Sequence, residues 1–491
     1  MAKPAVSLLA LCLSLSSYTL AAPCQASFTV TKRSTDLICL VAQIYGPNGL
    51  VGDNQGGPLV NTTLAPGSNA TFFAGVAGTD PTFSIDSEIG AQLSQLPAAS
   101  PVSGFVFAFN PSLGVDMASV QNLGPILTER APTVGRHKVL VGLSYQYFDF
   151  DRADGISLRN FPTYFFGGPT CGFCNSLVQF DSISAQNRLN LKIHEVTPVA
   201  VFGLTSRLDI SVAIPFLSVG LSMTSTATVN TLERAPYESD PTADPYSCNN
   251  NPVPGVIGCM NQFSVKTIPG ETLLPITNPL LGHNRAIFTS TGSASGIGDL
   301  ILRTKFQAIK RERAGVAIGI DLHAPTGAET QFLGSGAWGV RPFAAFSYAG
   351  RIEPHASLGF QINGHSILAT DPVSGSEGVL PSVLSYDAGV DAGVRNWLSI
   401  SADFLGLSLR RAFKTEEVTF QDFAGNSYNG LTQAFSDAGD EHFNRNQLSF
   451  AVGTKFRPIR KLIVSADVLF RLDEPGLHSR PVPLIGVSYE F

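Results

Sequence analysis

The histidines and their acidic neighbours are the side chains of this sequence best suited to catalysis. There are eight histidines, but none stands in a His-Glu-x-x-His zinc motif, and the chain has no Gly-x-Ser-x-Gly nucleophile elbow. His323 follows Asp321 by two positions in a stretch with strand alternation, where it could serve as a general base. A polar side chain inside a β-structure is the simpler interpretation. We therefore predict no catalytic residue, no metal site and no cofactor.

The cysteines form a second set with chemical potential. Cys12 lies in an N-terminal apolar run, and six remain in local pairs: Cys24 with Cys39, Cys171 with Cys174, and Cys248 with Cys259. An even number of cysteines in a secreted chain predicts disulfides. Cys171-Gly172-Phe173-Cys174 could also be a redox or metal motif, but no helix start and no second ligand pair accompany it, so a disulfide that staples a loop is favoured.

The elements that carry these residues are strands, and the hairpin from Gly298 to Pro325 shows the pattern most clearly. Leu300, Leu302, Thr304, Phe306 and Ala308 fall on one face of its first arm, opposite Asp299, Arg303, Lys305 and Gln307. Because side chains alternate across a strand, each arm has an apolar and a polar face. Similar units recur from His137 to Phe491 and predict about twelve strands, with an error of two either way, so that fourteen is the upper count.

The connections between these strands alternate in length. Short turns are predicted near Gly203, Arg311, Gly350, Arg395 and Arg460. Longer loops are predicted over 151–182, 224–297, 325–337, 365–381, 410–445 and 472–480. Short turns on one side and long loops on the other are typical of an outer-membrane barrel, whereas a soluble sandwich has no reason to keep this order. We therefore predict an all-β, transmembrane antiparallel β-barrel whose apolar faces meet lipid.

The opposite faces of such strands would line the lumen of the barrel. This places ten charged or titratable residues inside: Asp209, Asp299, Arg303, Lys305, Asp321, His323, Arg341, Asp387, Asp403 and Asp467. Charges of both signs at these positions would pair across the lumen or line a water-filled path. No ring of a single sign is apparent, so strong ion selectivity is not indicated.

Composition and the two ends of the chain divide it into three parts. Residues 1–21 read as a secretory signal, with Lys3, an apolar run and Thr19-Leu20-Ala21. Residues 22–136 are predicted to be a plug in the lumen or a periplasmic segment, since they are long, weakly charged and lack periodicity. Residues 137–491 are predicted to form the barrel. Only 14% of residues are charged, yet no later apolar run reaches the about 18 residues of a spanning helix.

The last strand alternates to an aromatic end at Tyr489 and Phe491. Such an end resembles the signal by which the barrel-assembly machinery recognises outer-membrane proteins, so that machinery and the lipid of the bacterial outer membrane are predicted partners. A net charge of −6 gives no reason to expect nucleic-acid binding.

Several short motifs resemble a known family. They are Gly296-Ile297-Gly298-Asp299, Ala324-Pro325-Thr326-Gly327, Gly334-Ser335-Gly336, and Gly203-Leu204-Thr205-Ser206-Arg207-Leu208-Asp209 with Ile214-Pro215. They are similar to the outer-membrane barrels named for the putative MetA pathway of phenol degradation, over roughly residues 137–491. The resemblance implies a barrel that admits hydrophobic or aromatic compounds, and it implies no catalytic residues.

The sequence thus predicts an outer-membrane channel or transporter for passive uptake of small hydrophobic or aromatic solutes. A surface structural or binding barrel that acts through its long loops is the first alternative. A barrel hydrolase with a nucleophile beside His323 or His442 is the second.

Overall fold

The fold is that of a closed β-barrel, seen in a computed structural model of the chain. The structure describes residues 34–42, 44, 50–53, 70–75, 89, 106–110, 115–119, 128–168, 182–230, 262–263, 272–273, 285–369, 377–412, 414–421, 426–433, 443–459 and 461–491. The predicted signal peptide, residues 1–21, and all cysteines except Cys39 lie outside these residues. Among the described residues no helix is long and apolar enough to cross a membrane.

Fourteen strand segments build the barrel wall. They are β1 Val139–Ala153, β2 Ser182–Gly203, β3 Leu208–Ala213, β4 Phe216–Asn230, β5 Arg285–Ile297, β6 Leu300–Lys310, β7 Ala314–Ala324, β8 Gly339–Tyr348, β9 Ile352–Asn363, β10 Ser382–Arg395, β11 Leu398–Ala412, β12 Phe443–Ile459, β13 Leu462–Arg471 and β14 Val482–Glu490. Segments β3 and β4 continue each other across Ile214-Pro215, and β5 and β6 do so across Gly298-Asp299. The wall therefore has twelve strands, as predicted.

Each wall strand pairs with its neighbour in antiparallel register, and β14 closes the circle on β1. Ile485 lies opposite Tyr145 in that last ladder, and the Phe491 amide donates to the Val139 carbonyl at 2.9 Å. Closure leaves no row of unpaired backbone groups in the wall, which is what hydrocarbon surroundings require. The predicted fold class, an all-β antiparallel barrel, is confirmed.

The short turns are all found where they were expected, between β2 and β3, β6 and β7, β8 and β9, β10 and β11, and β12 and β13. The barrel end that carries these turns and Phe491 is termed the lower end, and the opposite end the upper end. Short turns lie on the periplasmic side of outer-membrane barrels, so the upper end is extracellular.

The predicted loop over 224–297 is wrong at both of its ends. Strand β4 continues to Asn230 and β5 begins at Arg285, and the two pair from Phe216–Ile297 to Thr228–Arg285. The outward residues of this ladder are small and polar, such as Ser222 and Thr291. The sequence therefore lacks the outward apolar residues by which the other strands were predicted. Each of the two strands is interrupted by a kink, at Ile214-Pro215 and at Gly298-Asp299. The two kinks are neighbours, since the Gly298 amide donates to the Pro215 carbonyl at 2.7 Å.

Two other predicted loops contain strands of seven or eight residues. Phe161–Gly168 adds to the upper part of β2, and Thr415–Gln421 pairs with Ser427–Gln433 as a hairpin. The remaining described strands are Leu50–Asp53, Ala70–Gly75, Val106–Asn110, Val115–Ser119, Ile156–Ser157, Gln262–Phe263, Thr272–Leu273, His365–Ser366, Gly378–Val379 and Leu477–Ser479. The described helices are α1, Ile38–Ala42, and the 3₁₀ turns Glu329–Gln331 and Ile367–Ala369.

The lower part of the wall is apolar outside and polar inside. Ile318, Ile320 and Leu358 point outward and are half-exposed, while their neighbours Asp321 and Ser357 point inward and are buried. An apolar band around a closed barrel is the surface that lipid covers. The protein is accordingly a bacterial outer-membrane barrel.

Candidate functional site: a lumen with two zones

The lower part of the wall is apolar outside and polar inside, and the upper part has the opposite arrangement. Strand β2 turns Leu189, Leu191 and Ile193 inward, where they are fully buried, and Arg188 and Lys192 outward, where they are exposed. Strand β4 does the same with inward Leu217, Val219, Leu221 and Met223. This part of the barrel wall therefore has a polar outside and an apolar inside, as expected of a wall that stands above the lipid.

The inward side chains of the upper wall meet in an apolar interior that we term the upper chamber. It is defined by Leu189, Leu191, Ile193, Leu217, Val219, Leu221, Met223, Phe288, Phe332 and Leu333, which belong to one continuous cluster of buried side chains. Phe332 and Leu333 come from the connection between β7 and β8. That connection is fixed by Asp299, whose carboxylate accepts hydrogen bonds from the Gly327 amide at 3.2 Å and from the amide and hydroxyl of Ser335 at 2.7 and 2.6 Å.

Helix α1 lies inside the upper chamber. Leu37, Ile38, Leu40 and Val41 are buried in the same apolar cluster as the wall. A Cβ atom at Gly292 of β5 would lie only 2.5 Å from Leu37 Cδ2 and 3.1 Å from Leu40 Cδ1. The helix therefore rests directly on the backbone of the wall. Gln331 Nε2 donates to Asp36 Oδ1 at 2.6 Å and fixes the start of this segment to the loop above.

The lower part of the lumen is a charged zone that contains residues 128–134, the stretch that precedes β1. Lys305 Nζ donates to Glu129 Oε1 at 2.8 Å, and Arg303 forms a second ion pair with Glu129. Arg130 pairs with Glu353 and lies 3.5 Å from Asp391 Oδ2. We term these contacts the lower latch.

Backbone contacts of the same stretch extend the latch to other wall strands. The Ala131 amide donates to Ser347 Oγ at 3.1 Å, and the Val134 amide to Asp209 Oδ2 at 2.8 Å. Residues 128–134 thus contact β3, β6, β8, β9 and β10 from inside. The extent of the predicted plug within residues 22–136 stays a prediction, because most of that segment lies outside the described residues.

Above the latch, a second group of charges surrounds Phe343. Arg303 donates to Asp321 through Nε at 2.6 Å and Nη2 at 2.9 Å, and Arg341 Nη1 donates to the same carboxylate at 3.0 Å. Both guanidinium groups lie over the Phe343 ring, 5.0 and 5.7 Å from its centroid. Because the arginines are held by paired bonds, they are positioned side chains rather than flexible ones.

The other predicted lumen residues lie outside the two charged groups described above and have their own partners. Asp387 accepts from Ser357, and Asp403 Oδ1 lies 2.7 Å from His355 Nε2. Asp467 is buried beside Ser401 at 3.4 Å. Two of the ten predicted residues lie higher than the rest: Asp299 at the strand kink, and His323, which is partly buried beside Gly339. The lumen role of all ten stays a prediction.

Sequence reasoning missed four functional candidates: Glu129, Arg130, Glu353 and His355. Glu353 and His355 alternate with Pro354, so their inward direction is recoverable only once the strand is known. Glu129-Arg130 gave one usable signal, a charged pair that follows a long and nearly charge-free stretch. Of the six cysteines predicted to form disulfides, Cys39 is disulfide-bonded, and the pairings stay predictions.

Several solved outer-membrane proteins are similar to this chain at a low level. The COG4313 outer membrane channel from Pseudomonas putida F1 is 12% identical, covering 75% of this chain and 100% of that chain, with a TM-score of 0.37. The toluene transporter TbuX of Ralstonia pickettii is 12% identical, covering 81% and 99%, with a TM-score of 0.26. A Pseudomonas aeruginosa FadL homologue is 10% identical, covering 81% and 97%, with a TM-score of 0.28. The first of these proteins is described as a channel and the second as a transporter.

No curated protein matches the sequence. A family match is found over residues 194–403, which run from β2 to β11 and include the chamber residues from Leu217 to Leu333 and the charges around Phe343. The sequence model of that family is described as "Putative MetA-pathway of phenol degradation". This bacterial outer-membrane barrel therefore carries the sequence pattern of that family over residues 194–403, which confirms the resemblance seen in its motifs.

Proposed function

We propose that the barrel is a channel for passive uptake of small hydrophobic or aromatic compounds across the outer membrane. The observation that carries this proposal is the apolar upper chamber at the extracellular end of the lumen. A water-filled pore for ions or sugars would have polar side chains at this level. A chamber lined by leucine, isoleucine, valine and phenylalanine instead favours uncharged, poorly soluble molecules.

The second support is the position of the chamber above the lipid. The outward, exposed Arg188 and Lys192 favour a position of this part of the wall in water. An apolar interior there offers a solute the transfer free energy of leaving water, about 25 cal/mol per Å² of apolar surface. The description of the matched family, phenol degradation, agrees with an aromatic solute.

The lower latch would be the gate of this channel. Residues 128–134 lie mostly buried inside the lumen below the chamber, so a solute would pass when these residues leave or shift. The interactions that hold them are ion pairs and hydrogen bonds to the wall, which can be broken and remade without unfolding a strand. No bond chemistry is required, and the solute moves down its concentration gradient.

An uptake assay in cells tests the proposal. N-phenyl-1-naphthylamine is an apolar dye that intact lipopolysaccharide excludes and that fluoresces in membranes. Expression of the protein in a bacterium with intact lipopolysaccharide should increase the rate of dye uptake. The double variant Val219→Thr/Leu221→Asn makes the chamber polar and should lower that rate to near the background.

The matched control changes outward residues of the same strand. Ser218→Thr/Ser222→Asn leaves the chamber intact and should take up dye at the wild-type rate. Retention of a folded barrel is checked for every variant by its heat-modifiable band on a gel. If wild-type protein gives no more uptake than an empty vector, even after residues 22–127 are deleted, the channel proposal fails and the surface-binding alternative is favoured.

A further inference from the structure

The wall beneath helix α1 has a depression at Gly292. Gly292 pairs with Leu221 across the β4–β5 ladder, and both face the chamber. The glycine has no side chain, so the ends of Leu37 and Leu40 reach the backbone there, within 2.5 and 3.1 Å of where a Cβ would lie. Any larger residue would close this depression.

The surroundings of the depression are apolar on both sides. Leu221, Val219 and Phe288 of the wall are almost completely buried, as is Val41 of the helix. An apolar cavity lined by such side chains stays dry when empty and binds ligands of the size of benzene. The side chains of Leu37, just ahead of α1, and of Leu40 thus fill a volume that would be an apolar cavity of this kind if they left.

We propose that the wall around Gly292 and Leu221 is the binding site for a small, uncharged aromatic or aliphatic solute, and that the solute and helix α1 occupy this site alternately. The proposal rests on the proposed channel function and adds the position of the solute and the competitor that it displaces. Solute and helix exclude each other because both need the volume that Leu37 and Leu40 now fill.

Two features fit a helix that can leave and return. The hydrogen bond between Asp36 and Gln331 holds the start of the segment at the rim of the chamber. The helix is also part of the same chain as the wall, so a displaced helix remains a tethered competitor for its site. A tethered competitor raises the solute concentration needed for binding, and bound solute in turn disfavours docking of the helix, because the coupling between the two is reciprocal.

The test measures whether a solute exposes the helix. In the Val41→Cys variant the new thiol is buried while α1 is docked, since Val41 is 0% exposed. Purified protein in detergent is treated with a charged, water-soluble methanethiosulfonate reagent, with and without 1-naphthol. Naphthol binds only the undocked state and stabilises it by mass action. At a naphthol concentration about ten times its dissociation constant from that undocked state, the labelling rate should therefore rise about tenfold.

A control variant at Ser34 and a second variant at Gly292 show whether a change in labelling is specific to the docked helix. Ser34→Cys places a thiol on an exposed residue ahead of the helix, and its labelling should not respond to naphthol. Gly292→Leu fills the depression, so the thiol of Val41→Cys/Gly292→Leu should react fast without naphthol and should not respond to it. Glucose replaces naphthol as a polar solute and should have no effect.

The result that overturns the proposal is a Val41→Cys labelling rate that naphthol leaves unchanged. This outcome is separable from failure of the channel itself. Wild-type dye uptake combined with unresponsive Val41→Cys labelling rejects the site but keeps the channel, whereas absent uptake in the cell assay rejects the channel.

Discussion

Arg130, in the stretch that precedes the first barrel strand at Val139, forms an ion pair with Glu353 of β9, 223 positions later in the chain. Only 3% and 4% of the two side chains are exposed. A charged pair this far inside a barrel fixes the preceding segment to the wall. Breaking such a pair from one side is costly because the remaining charge stays buried and unpaired.

The first prediction concerns this latch. Arg130→Gln leaves Glu353 and Asp391 without their shared cation, at a cost of about 3–5 kcal/mol if the segment stays in place. We expect residues 128–134 to leave the lumen instead, so single-channel conductance in planar bilayers should rise severalfold. Arg152→Gln is the control: its ion pair with Glu474 is about half exposed, so conductance should not change. Equal conductance of Arg130→Gln and wild type would show that the latch does not close the lumen.

The second prediction concerns the close packing around Phe343. A Cβ at Gly319 would lie 2.6 Å from the Thr304 carbonyl oxygen and would also overlap the Phe343 ring. Gly319→Ala should therefore destabilise the barrel by about 1–3 kcal/mol, the usual cost of overpacking. Gly220→Ala is the matched control, since nothing lies within 4 Å of its Cβ position. Urea unfolding in lipid vesicles compares the two, and equal stabilities would contradict the described packing.

The third prediction tests where the lipid lies. Ile320 points outward and is 54% exposed, so Ile320→Arg places a charge in hydrocarbon at a cost of about 2–4 kcal/mol near the midplane. Ser222→Arg points outward from the upper wall, next to Asn190, and should change the unfolding free energy by no more than about 0.5 kcal/mol. If both variants unfold like wild type in vesicles, the apolar band is not in contact with lipid.

The fourth prediction concerns the pH response of an extracellular loop. Burial, and secondly repulsion from Glu377, raise the pKa of Glu329, whose carboxylate accepts from Ser366 Oγ at 3.4 Å. The packed loop therefore binds a proton more tightly than the open loop does. Its packing should be strongest at acid pH and should weaken as pH rises through the raised pKa.

Hydrogen exchange of residues 329–331, corrected for the intrinsic effect of pH on exchange, measures this change. In Glu329→Gln the protection should be independent of pH, because the side chain no longer titrates. Glu417→Gln, in the hairpin of another loop, should keep the wild-type response. Protection in the wild type that increases with pH would contradict the raised pKa of Glu329.

The lower wall was predictable because its outward side chains are apolar and its inward side chains are polar, as in the predicted pattern. In the hairpin of β6 and β7, Leu302, Phe306, Ile318 and Ile320 face lipid as their spacing predicted, and Arg303, Lys305 and Asp321 face inward. Strand periodicity and turn positions are local properties of the sequence. They were sufficient to predict the number of strands and the closure of the barrel.

The upper chamber was not predictable because alternation does not tell which side is outside. The prediction that every apolar face meets lipid is wrong for Leu189, Leu191 and Ile193, which face the lumen. Their outward neighbours are polar because this part of the wall stands in water. The latch could not be found either, since the contacts of Glu129 and Arg130 join residues that are far apart in sequence and have no common period.

Photolabelling with a small apolar aromatic probe tests the central claim most directly, that the upper chamber takes up apolar solutes. The protein is reconstituted in vesicles, treated with 3-trifluoromethyl-3-phenyldiazirine, irradiated and mapped by mass spectrometry, with unlabelled 1-naphthol as competitor. We expect the probe to react with inward residues such as Val219, Leu221 and Phe288, and naphthol to suppress this reaction. The outward residues Gly220 and Ser222 should carry no probe. Labels confined to lipid-facing residues such as Ile320 and Leu358, and insensitive to naphthol, would contradict the account.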